Sequence, residues 1–353
     1  MFALALYNLT EHKKKMNKIV TIIISAYNKA EYLERCVSSL IGRNIDKAEI
    51  IIVNDGSTDG TSAIAHKLSS SCPSVVVVDK ENGHQGSCVN VALSIATGKY
   101  VRMLDADDYF DTSVFDQYLD LLESYDADMV ITGHIINRGE GVVIAPTHME
   151  CNKVLPLAEV NFRKLGLEGC LGMHGVTYRT DIFRKYNIKL TEHCSFADAE
   201  FCYYPIEHCK TVMFMKEVLY CYQTGIEGQE SSLKSNKIKE DAFVVCNRML
   251  GNYESVLSKS HLGGGNNEIV LCRCLTAYLA IYLLHFKSNP LDQERSHYLL
   301  YKAKKVLPSG SYNNLIQTTM RKIPFIKIFQ LTGMTSFYLF SLLESLYKYV
   351  KSV

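Results

Sequence analysis

The chain has 353 residues, enough for one large or two medium-sized domains with a substantial hydrophobic core. With 38 Lys and Arg against 37 Asp and Glu it is nearly neutral, which argues against bulk electrostatic binding to nucleic acid. Its 12 cysteines lack the spacing of a disulfide-rich secreted domain, so we expect a reducing, cytoplasmic compartment.

Three parts are predicted along the chain. Residues 1–17 form an N-terminal arm, because their apolar run is too short to span a bilayer and lacks the basic region of a signal peptide. Residues 18–230 form an α/β domain, and residues 231–353 form a helical region.

The α/β domain is predicted from short β-prone runs that alternate with amphipathic segments of helical length. Predicted strands cover 19–26, 49–53, 75–78, 99–104 and 128–132, and predicted helices cover 30–41, 58–68, 85–96 and 114–123. This alternation predicts a Rossmann-like fold with a mainly parallel sheet and right-handed crossovers. Further along, a strand and a helix are expected within 176–187, and another strand over 212–222.

Two polar segments follow the first two strands. Ser25, Tyr27 and Asn28 can hold a nucleobase by hydrogen bonding and stacking. Asp55, in the segment NDGSTD, can accept a hydrogen bond from a base imide N–H or a ribose hydroxyl. Each segment alone also fits an ordinary strand exit followed by a turn and a helix cap.

The segment ENGHQGSCVN follows the third strand and holds Asn82, Gly83 and Asn90. Glycines that lead into a helix N-terminus can accept phosphate oxygens or allow close approach of the backbone. No Gly-Lys-Ser/Thr follows, so the segment is not a P-loop, and no GxGxxG follows the first strand.

An acidic turn closes the fourth strand, where Asp105, Asp107 and Asp108 fall within four positions. Partly buried carboxylates cost free energy unless they are paired or bound to a cation. Because ligands of open α/β sheets bind beyond the carboxyl ends of the strands, the turn is a candidate site for a hard divalent cation. The alternative is a solvated turn in which Asp108 or Asp111 caps the next helix.

Asp198 is a candidate general base in the segment SFADAEF. Desolvation among aromatic residues raises the pKa of a carboxyl, which suits a base. The alternative is an acidic residue that complements the dipole at a helix N-terminus.

In this order, the segments resemble those of the family-2 glycosyltransferases, whose nucleotide-sugar-binding domain has the GT-A fold. The resemblance covers residues 18–225 and depends most on NDGSTD and the LDADD turn. It implies that the following residues contact the nucleotide donor, most often a uridine derivative: Ser25, Tyr27, Asn28, Asp55, Asn82, Gly83, Asn90, Asp105 and Ala106.

The same resemblance implies that Asp105 and Asp107 are a DXD motif that holds Mn²⁺ or Mg²⁺ against the donor diphosphate. A histidine completes the metal shell in some relatives, so His174 is either a third ligand or a structural histidine. Asp198 corresponds to the acceptor-side base of inverting members.

Two further positions depart from the family pattern. Ala197 replaces the usual Glu before Asp198, which leaves Glu200 as a second candidate base. Val89 stands where many relatives have Arg, which removes one candidate phosphate or base contact.

The resemblance implies an inverting, metal-dependent glycosyltransferase that moves a sugar from UDP to a hydroxyl of a glycan or lipid-linked saccharide in cell-surface polysaccharide synthesis. A nucleotidyltransferase is one alternative, although it would carry a glycine-rich basic loop after the first strand. A non-catalytic nucleotide-sugar-binding protein is the other.

The last informative segment is a helix over 322–350, in which basic residues flank an uncharged stretch over 328–343. Such a helix suits the surface of a membrane, here the inner face of the cell membrane. It equally suits a terminal helix that closes the helical region.

Overall fold

The computed structural model describes residues 18–137, 141–146, 149–160, 171–226, 235–259, 266–283 and 290–320. The predicted arm 1–17 and the predicted helix 322–350 lie outside these residues. The chain divides into two compact units after residue 232, with residues 265–267 counted in the first unit.

The first unit is built on one mixed sheet. Its strands are β1 (Val20–Ala26), β2 (Ala48–Asp55), β3 (Val75–Lys80), β4 (Tyr100–Asp105), β5 (Tyr109–Phe110), β6 (Met129–Asn137), β7 (Val142–Ile144), β8 (Val154–Pro156), β9 (Val176–Arg179) and β10 (Thr211–Gln223). The strand order is β3-β2-β1-β4-β9-β6-β10-β5, with β7 on β6 and β8 on β10.

The four strands β3, β2, β1 and β4 are parallel neighbours, so their carboxyl ends meet at one edge of the sheet. β1 and β2 are buried along nearly their whole length because both faces are covered, as their continuous apolar sequences predict. The register sets Ser25 beside Asp105 and Asp55 beside Lys80. The predicted α/β fold class is confirmed.

Helices connect the strands of the first unit. They are α1 (Ala30–Ser38), α2 (Thr61–Ser71), α3 (His84–Ile95), α4 (Thr112–Ser124), α5 (Thr180–Lys185) and α6 (Ala197–Tyr203). The cap of α4 is Asp111, whose Oδ1 accepts hydrogen bonds from the backbone N–H groups of Ser113 and Val114. Asp111 rather than Asp108 therefore begins this helix.

β9 changes the second half of the sheet. It lies between β4 and β6 and is antiparallel to both, so the predicted fourth and fifth strands run in the same direction without pairing directly. A buried side-chain bond holds β9 in place, because Arg102 Nη1 on β4 donates to Thr177 Oγ1 at 3.1 Å.

The second unit is helical in its described part. Its helices are α7 (Asn236–Lys259), α8 (Asn266–Leu283, of which the first two residues are counted in the first unit), α9 (Pro290–Val306) and α10 (Ser309–Met320). A buried ion pair joins α7 to α9, with Lys239 Nζ 2.5 Å from Asp292 Oδ2. Among the helices described, none has both the length and the apolar character needed to cross a bilayer.

Candidate active site

The acidic turn faces inward and is held by β10 and by α3. Asp108 is fully buried, and its carboxylate accepts bonds from Tyr220 Oη at 2.6 Å and from the Gln223 backbone N–H at 2.7 Å. Asp105 Oδ1 accepts a bond from Gln85 Nε2, at the N-terminus of α3, at 2.9 Å. These bonds fix the two carboxylates at the edge where the parallel strands end.

His174 completes a group of metal-type ligands with Asp105 and Asp108. One ligand atom from each residue lies within 4.8 Å of the others. The imidazole ring stacks on Tyr222 and meets Tyr220 edge-on, with ring centroids 4.5 and 4.8 Å apart. The aromatic contacts hold the ring beside the two carboxylates, where one of its nitrogens could bind the same ion.

Burial shifts the acidity of two members of this group in opposite senses. Desolvation raises the pKa of Asp108 to about 7, although the bonds from Tyr220 and Gln223 favour the carboxylate. Desolvation, with the nearby His134 and Arg102, lowers the pKa of His174 to about 3. The imidazole is therefore neutral at physiological pH, the state in which it can bind a metal ion.

Arg102 supports His174 from behind. Its side chain is completely buried, and the guanidinium donates to the carbonyl oxygen of His174 and to Thr132 Oγ1. The guanidinium carbon lies 5.2 Å from the ring centroid of Phe110. The burial lowers its pKa from the usual value. A buried Arg on a central strand thus positions the loop that carries the histidine.

Asp107 lies outside the Asp105, Asp108 and His174 group in this structure. Its Oδ2 is 2.7 Å from Lys29 Nζ, and both side chains are mostly buried. Its backbone carbonyl accepts a bond from Arg35 Nη2 at 2.7 Å. Two cations therefore stabilise the turn on the side that α1 covers.

The residues predicted to hold the nucleoside lie at the ends of β1 and β2. The side chain of Tyr27 is half exposed, so its ring can stack on a ligand. Asp55 is buried, and its Oδ1 accepts bonds from Lys80 Nζ at 2.7 Å and from the Gly83 backbone N–H at 2.9 Å. Ser25, near the end of β1, is paired with Val53 of β2 on one side and with Asp105 of β4 on the other.

The amides of the predicted donor site are engaged within the protein. Asn28 Oδ1 accepts the Thr58 backbone N–H at 2.8 Å, and Asn82 Nδ2 donates to the Asp55 carbonyl at 3.0 Å. Ala106 is buried in the acidic turn. Asn28 and Asn82 thus fix the loops around the nucleoside end.

Asn90 connects α3 to the segment before α6. Its Nδ2 donates to the Leu190 carbonyl and to Glu192 Oε1, and its Oδ1 accepts the Leu190 backbone N–H. The carbonyl of Gly83 accepts the His193 backbone N–H at 2.7 Å. Both contacts tie the same segment to α3.

Asp198 lies in the first turn of α6, and the residue before it, Ala197, packs against α3. Gln85 of α3 bonds to Asp105, and a Cβ on the next residue, Gly86, would lie 2.9 Å from the Cβ of Ala197. The residue before Asp198 therefore packs on the helix end that holds Asp105.

Glu200 has a structural role. It is fully buried, and its carboxylate accepts bonds from the backbone N–H and the hydroxyl of Thr191 and from Tyr204 Oη. A carboxylate with these donors is committed to holding the chain before α6, which leaves Asp198 as the candidate base.

Sequence reasoning missed several residues that build the site: Lys29, Lys80, Gln85, Arg102 and Tyr220. Each contacts a carboxylate or a carbonyl that is far away in the sequence. Gln85 lies within the segment ENGHQGSCVN, Lys29 directly follows Asn28 and Lys80 directly precedes ENG, so these three had a local signal in the sequence.

A mixed sheet whose parallel strands end in a cluster of carboxylates is an α/β domain of the GT-A type. Residues 21–187 match the profile described as Glycosyl transferase family 2. This part of the chain is a family-2 glycosyltransferase domain.

Two curated relatives illustrate the similarity. "Uncharacterized glycosyltransferase EpsJ" of Bacillus subtilis is 27% identical over 212 residues, which are 59% of this chain and 62% of EpsJ. "Chondroitin synthase" of Pasteurella multocida is 43% identical over 93 residues, which are 26% of this chain and 10% of the synthase. The chain thus spans less than two thirds of either relative.

Among solved structures, residues 1–349 of TarS from S. aureus, in complex with UDP-GlcNAc, have a similar fold. The TM-score is 0.65 at 16% identity, and the match covers 90% of this chain and 92% of that one. This likeness confirms the GT-A fold.

Proposed function

We propose that the protein is an inverting, metal-dependent glycosyltransferase that moves a sugar from UDP to a hydroxyl of a glycan or lipid-linked saccharide during cell-surface polysaccharide synthesis. The observation that supports this best is the Asp105, Asp108 and His174 group in a family-2 domain, at the sheet edge that also carries Tyr27 and Asp55. The polysaccharide synthase among the relatives agrees with this role.

The ligand group of Asp105, Asp108 and His174 suits Mn²⁺ or Mg²⁺. Two carboxylates and one neutral imidazole match the preference of Mn²⁺ for oxygen ligands with an admixture of nitrogen. Such an ion would offset the negative charge that develops on the leaving diphosphate. Asp107, the second carboxylate of the DXD motif, stays a proposed ligand, and its participation requires that its ion pair with Lys29 opens.

Protein groups supply the remaining steps. Tyr27 stacks on the nucleobase and Asp55 accepts its imide N–H. Asp198 takes the proton of the acceptor hydroxyl as the oxygen attacks the anomeric carbon. A single in-line displacement, in which the bond from the anomeric carbon to the diphosphate breaks, inverts the anomeric configuration, so no second carboxylate is needed as a nucleophile. Contact with the inner membrane face through residues 322–350 would bring a lipid-linked acceptor to this site.

The test is a panel of UDP- and GDP-sugars, assayed with Mn²⁺ or with chelator for donor hydrolysis and for transfer to surface-glycan oligosaccharides. We expect at least one UDP-sugar to be used only with metal. Asp198→Asn should lower transfer by about a hundredfold or more while UDP binding persists. Asp105→Asn should abolish transfer whether or not metal is added.

Asp181→Asn is the matched control, because this aspartate is 80% exposed and pairs only loosely with Arg184 at 3.5 Å. Its activity should equal that of the wild type. If Asp198→Asn transferred sugar at the wild-type rate, the assignment of Asp198 as the base would be wrong. Donor use that does not depend on metal would refute the metal site.

A further inference from the structure

The contact between Lys80 and Asp55 lies inside the nucleoside end of the site. The two residues are paired in the parallel register of β2 and β3, and their side chains meet at 2.7 Å. Asp55 has 4% of its side chain exposed and Lys80 19%, so the lysine side chain is the more accessible member of the pair. A cation thus stands beside the carboxylate that is proposed to bind the base.

Glycine makes this arrangement possible. Gly56 has φ +73, and a Cβ there would lie 2.9 Å from the Asn82 backbone nitrogen. A Cβ at Gly83 would lie 3.0 Å from Lys80 Nζ. The loop after β3 therefore packs directly against the end of β2 and leaves room for the ammonium.

Lys80 keeps donor capacity beyond its structural bonds. An ammonium carries three N–H groups. One bonds to Asp55 Oδ1 and one to the carbonyl oxygen of Glu81, so the third can reach a ligand. The bonds from Lys80 Nζ and from the Gly83 backbone N–H both reach Oδ1 of Asp55, and the Cys88 thiol also bonds to this carboxylate. Oδ2 is the oxygen that we assign to a ligand N–H. Val89, in contrast, is fully buried, and its side chain has no polar atom to offer a ligand.

We propose that Lys80 determines base specificity: together with Asp55 it reads the lactam edge of a nucleobase, in which an N–H group adjoins a C=O group. The carboxylate accepts from the N–H and the ammonium donates to the oxygen. Uracil and guanine carry this edge. Cytosine and adenine present a ring nitrogen acceptor beside an amino group, which would face the carboxylate and the ammonium with the wrong polarity.

This inference rests on the proposed nucleotide-donor function. A simpler role for Lys80 is that of a counterion that keeps Asp55 in place. The two roles differ in one respect, because a counterion weakens all ligands alike when it is removed, whereas a reading residue weakens only ligands that carry the matching oxygen.

Isothermal titration in excess Mn²⁺ separates these roles, with UDP, GDP, CDP, ADP and 4-thio-UDP as ligands. The thio analogue keeps the N3–H but replaces O4 by sulfur, a poor acceptor. We expect the wild type to bind UDP about tenfold to a hundredfold more tightly than 4-thio-UDP, the value of one charge-assisted hydrogen bond. The diphosphates of cytosine and adenine should bind at least as weakly.

In Lys80→Met the preference for UDP over 4-thio-UDP should disappear, and Lys80→Arg, which keeps a donor, should retain most of it. Lys67→Met is the control, because Lys67 is 73% exposed and lies 3.6 Å from Glu34. Thermal melts followed by circular dichroism show whether each variant is folded.

Three results would overturn the inference. If Lys80→Met weakens UDP and 4-thio-UDP by the same factor, Lys80 is a counterion only, and the proposed function stands. If the wild type binds CDP or ADP as tightly as UDP and GDP, the pair does not read the lactam edge. If the wild type binds none of the diphosphates, the proposed function fails together with this inference.

Discussion

Asp108 is the residue whose ionisation controls how the acidic turn responds to pH. Burial raises its pKa to about 7, far above the value of about 3.9 for a free Asp. At pH 6 the carboxyl is mostly protonated, and at pH 8 it is mostly charged. Because a cation must displace the proton, metal binding and protonation compete at this position.

We therefore expect the affinity for Mn²⁺, measured by titration calorimetry without nucleotide, to rise by about tenfold per pH unit below pH 7 and to level off above it. His174 does not contribute to this slope, since its pKa of about 3 keeps it neutral throughout the range. Asp108→Asn should bind more weakly and with a much flatter pH dependence. A slope that is unchanged in Asp108→Asn would assign the titration to another group.

Lys29 is a second residue that competes with a cation. Its ammonium lies 2.7 Å from Asp107 Oδ2, where it neutralises the second carboxylate of the motif. A unit charge at about 4 Å is worth ~1 kcal/mol even in water, which corresponds to about fivefold in affinity. Lys29→Met should therefore tighten Mn²⁺ binding about threefold to tenfold in the absence of nucleotide.

The control for this prediction is Lys153→Met, which removes an exposed lysine whose partner is Glu150. It should leave the affinity for Mn²⁺ unchanged. In the double variant Lys29→Met/Asp107→Asn the gain should vanish, because the carboxylate that the lysine masks is gone. Weaker binding in Lys29→Met alone would mean that the lysine positions Asp107 instead of competing for it.

At the scale of elements, the N-terminus of α3 is the junction of the site. Gln85 holds Asp105, and Gly86 allows the chain before α6 to approach, since a Cβ there would lie 2.1 Å from the Thr191 carbonyl oxygen. This close contact also accounts for Ala197. The Ala197 side chain is fully buried, and its Cβ would lie 2.9 Å from a Cβ on Gly86, so a small residue at 197 suits this contact.

Gly86→Ala should accordingly lower the free energy of unfolding by about 1–3 kcal/mol, because backbone must shift, and the gain in helix propensity of up to about 1 kcal/mol offsets only part of this. Transfer should fall by about tenfold or more, since α6 carries the proposed base. Urea unfolding and a transfer assay measure the two effects.

Gly60→Ala is the control in the same unit, because a Cβ there would meet only the Ala30 Cβ at 3.7 Å. Its stability and activity should match those of the wild type. If Gly86→Ala is less stable but transfers sugar at the wild-type rate, the packing of α3 does not determine the position of Asp198.

At the scale of the whole molecule, the sequence predicts what depends on neighbouring residues and misses what depends on distant ones. Asp55 and Asp105 could be placed together because parallel strands end at a common edge. The bond from Tyr220 to Asp108 and the pairing of β9 with β4 and β6 join segments far apart in the chain. No local periodicity encodes such contacts, so the grouping of Asp108, instead of Asp107, with Asp105 and His174 is visible only in the folded structure.

The division into two units gives a prediction for the complete chain. Every residue proposed to bind nucleotide or metal belongs to the first unit, so a ligand should stabilise that unit alone. UDP at about a hundred times its dissociation constant, with Mn²⁺, adds ~2.7 kcal/mol to the stability of the state that binds it. Differential scanning calorimetry should therefore show a first-unit transition whose midpoint temperature rises by several degrees while that of the other transition stays the same.

Asp105→Asn should reduce this rise because metal and diphosphate are held less tightly. If both transitions rise together, the two units unfold as one cooperative block, because a ligand bound to one unit then stabilises every residue that unfolds with it.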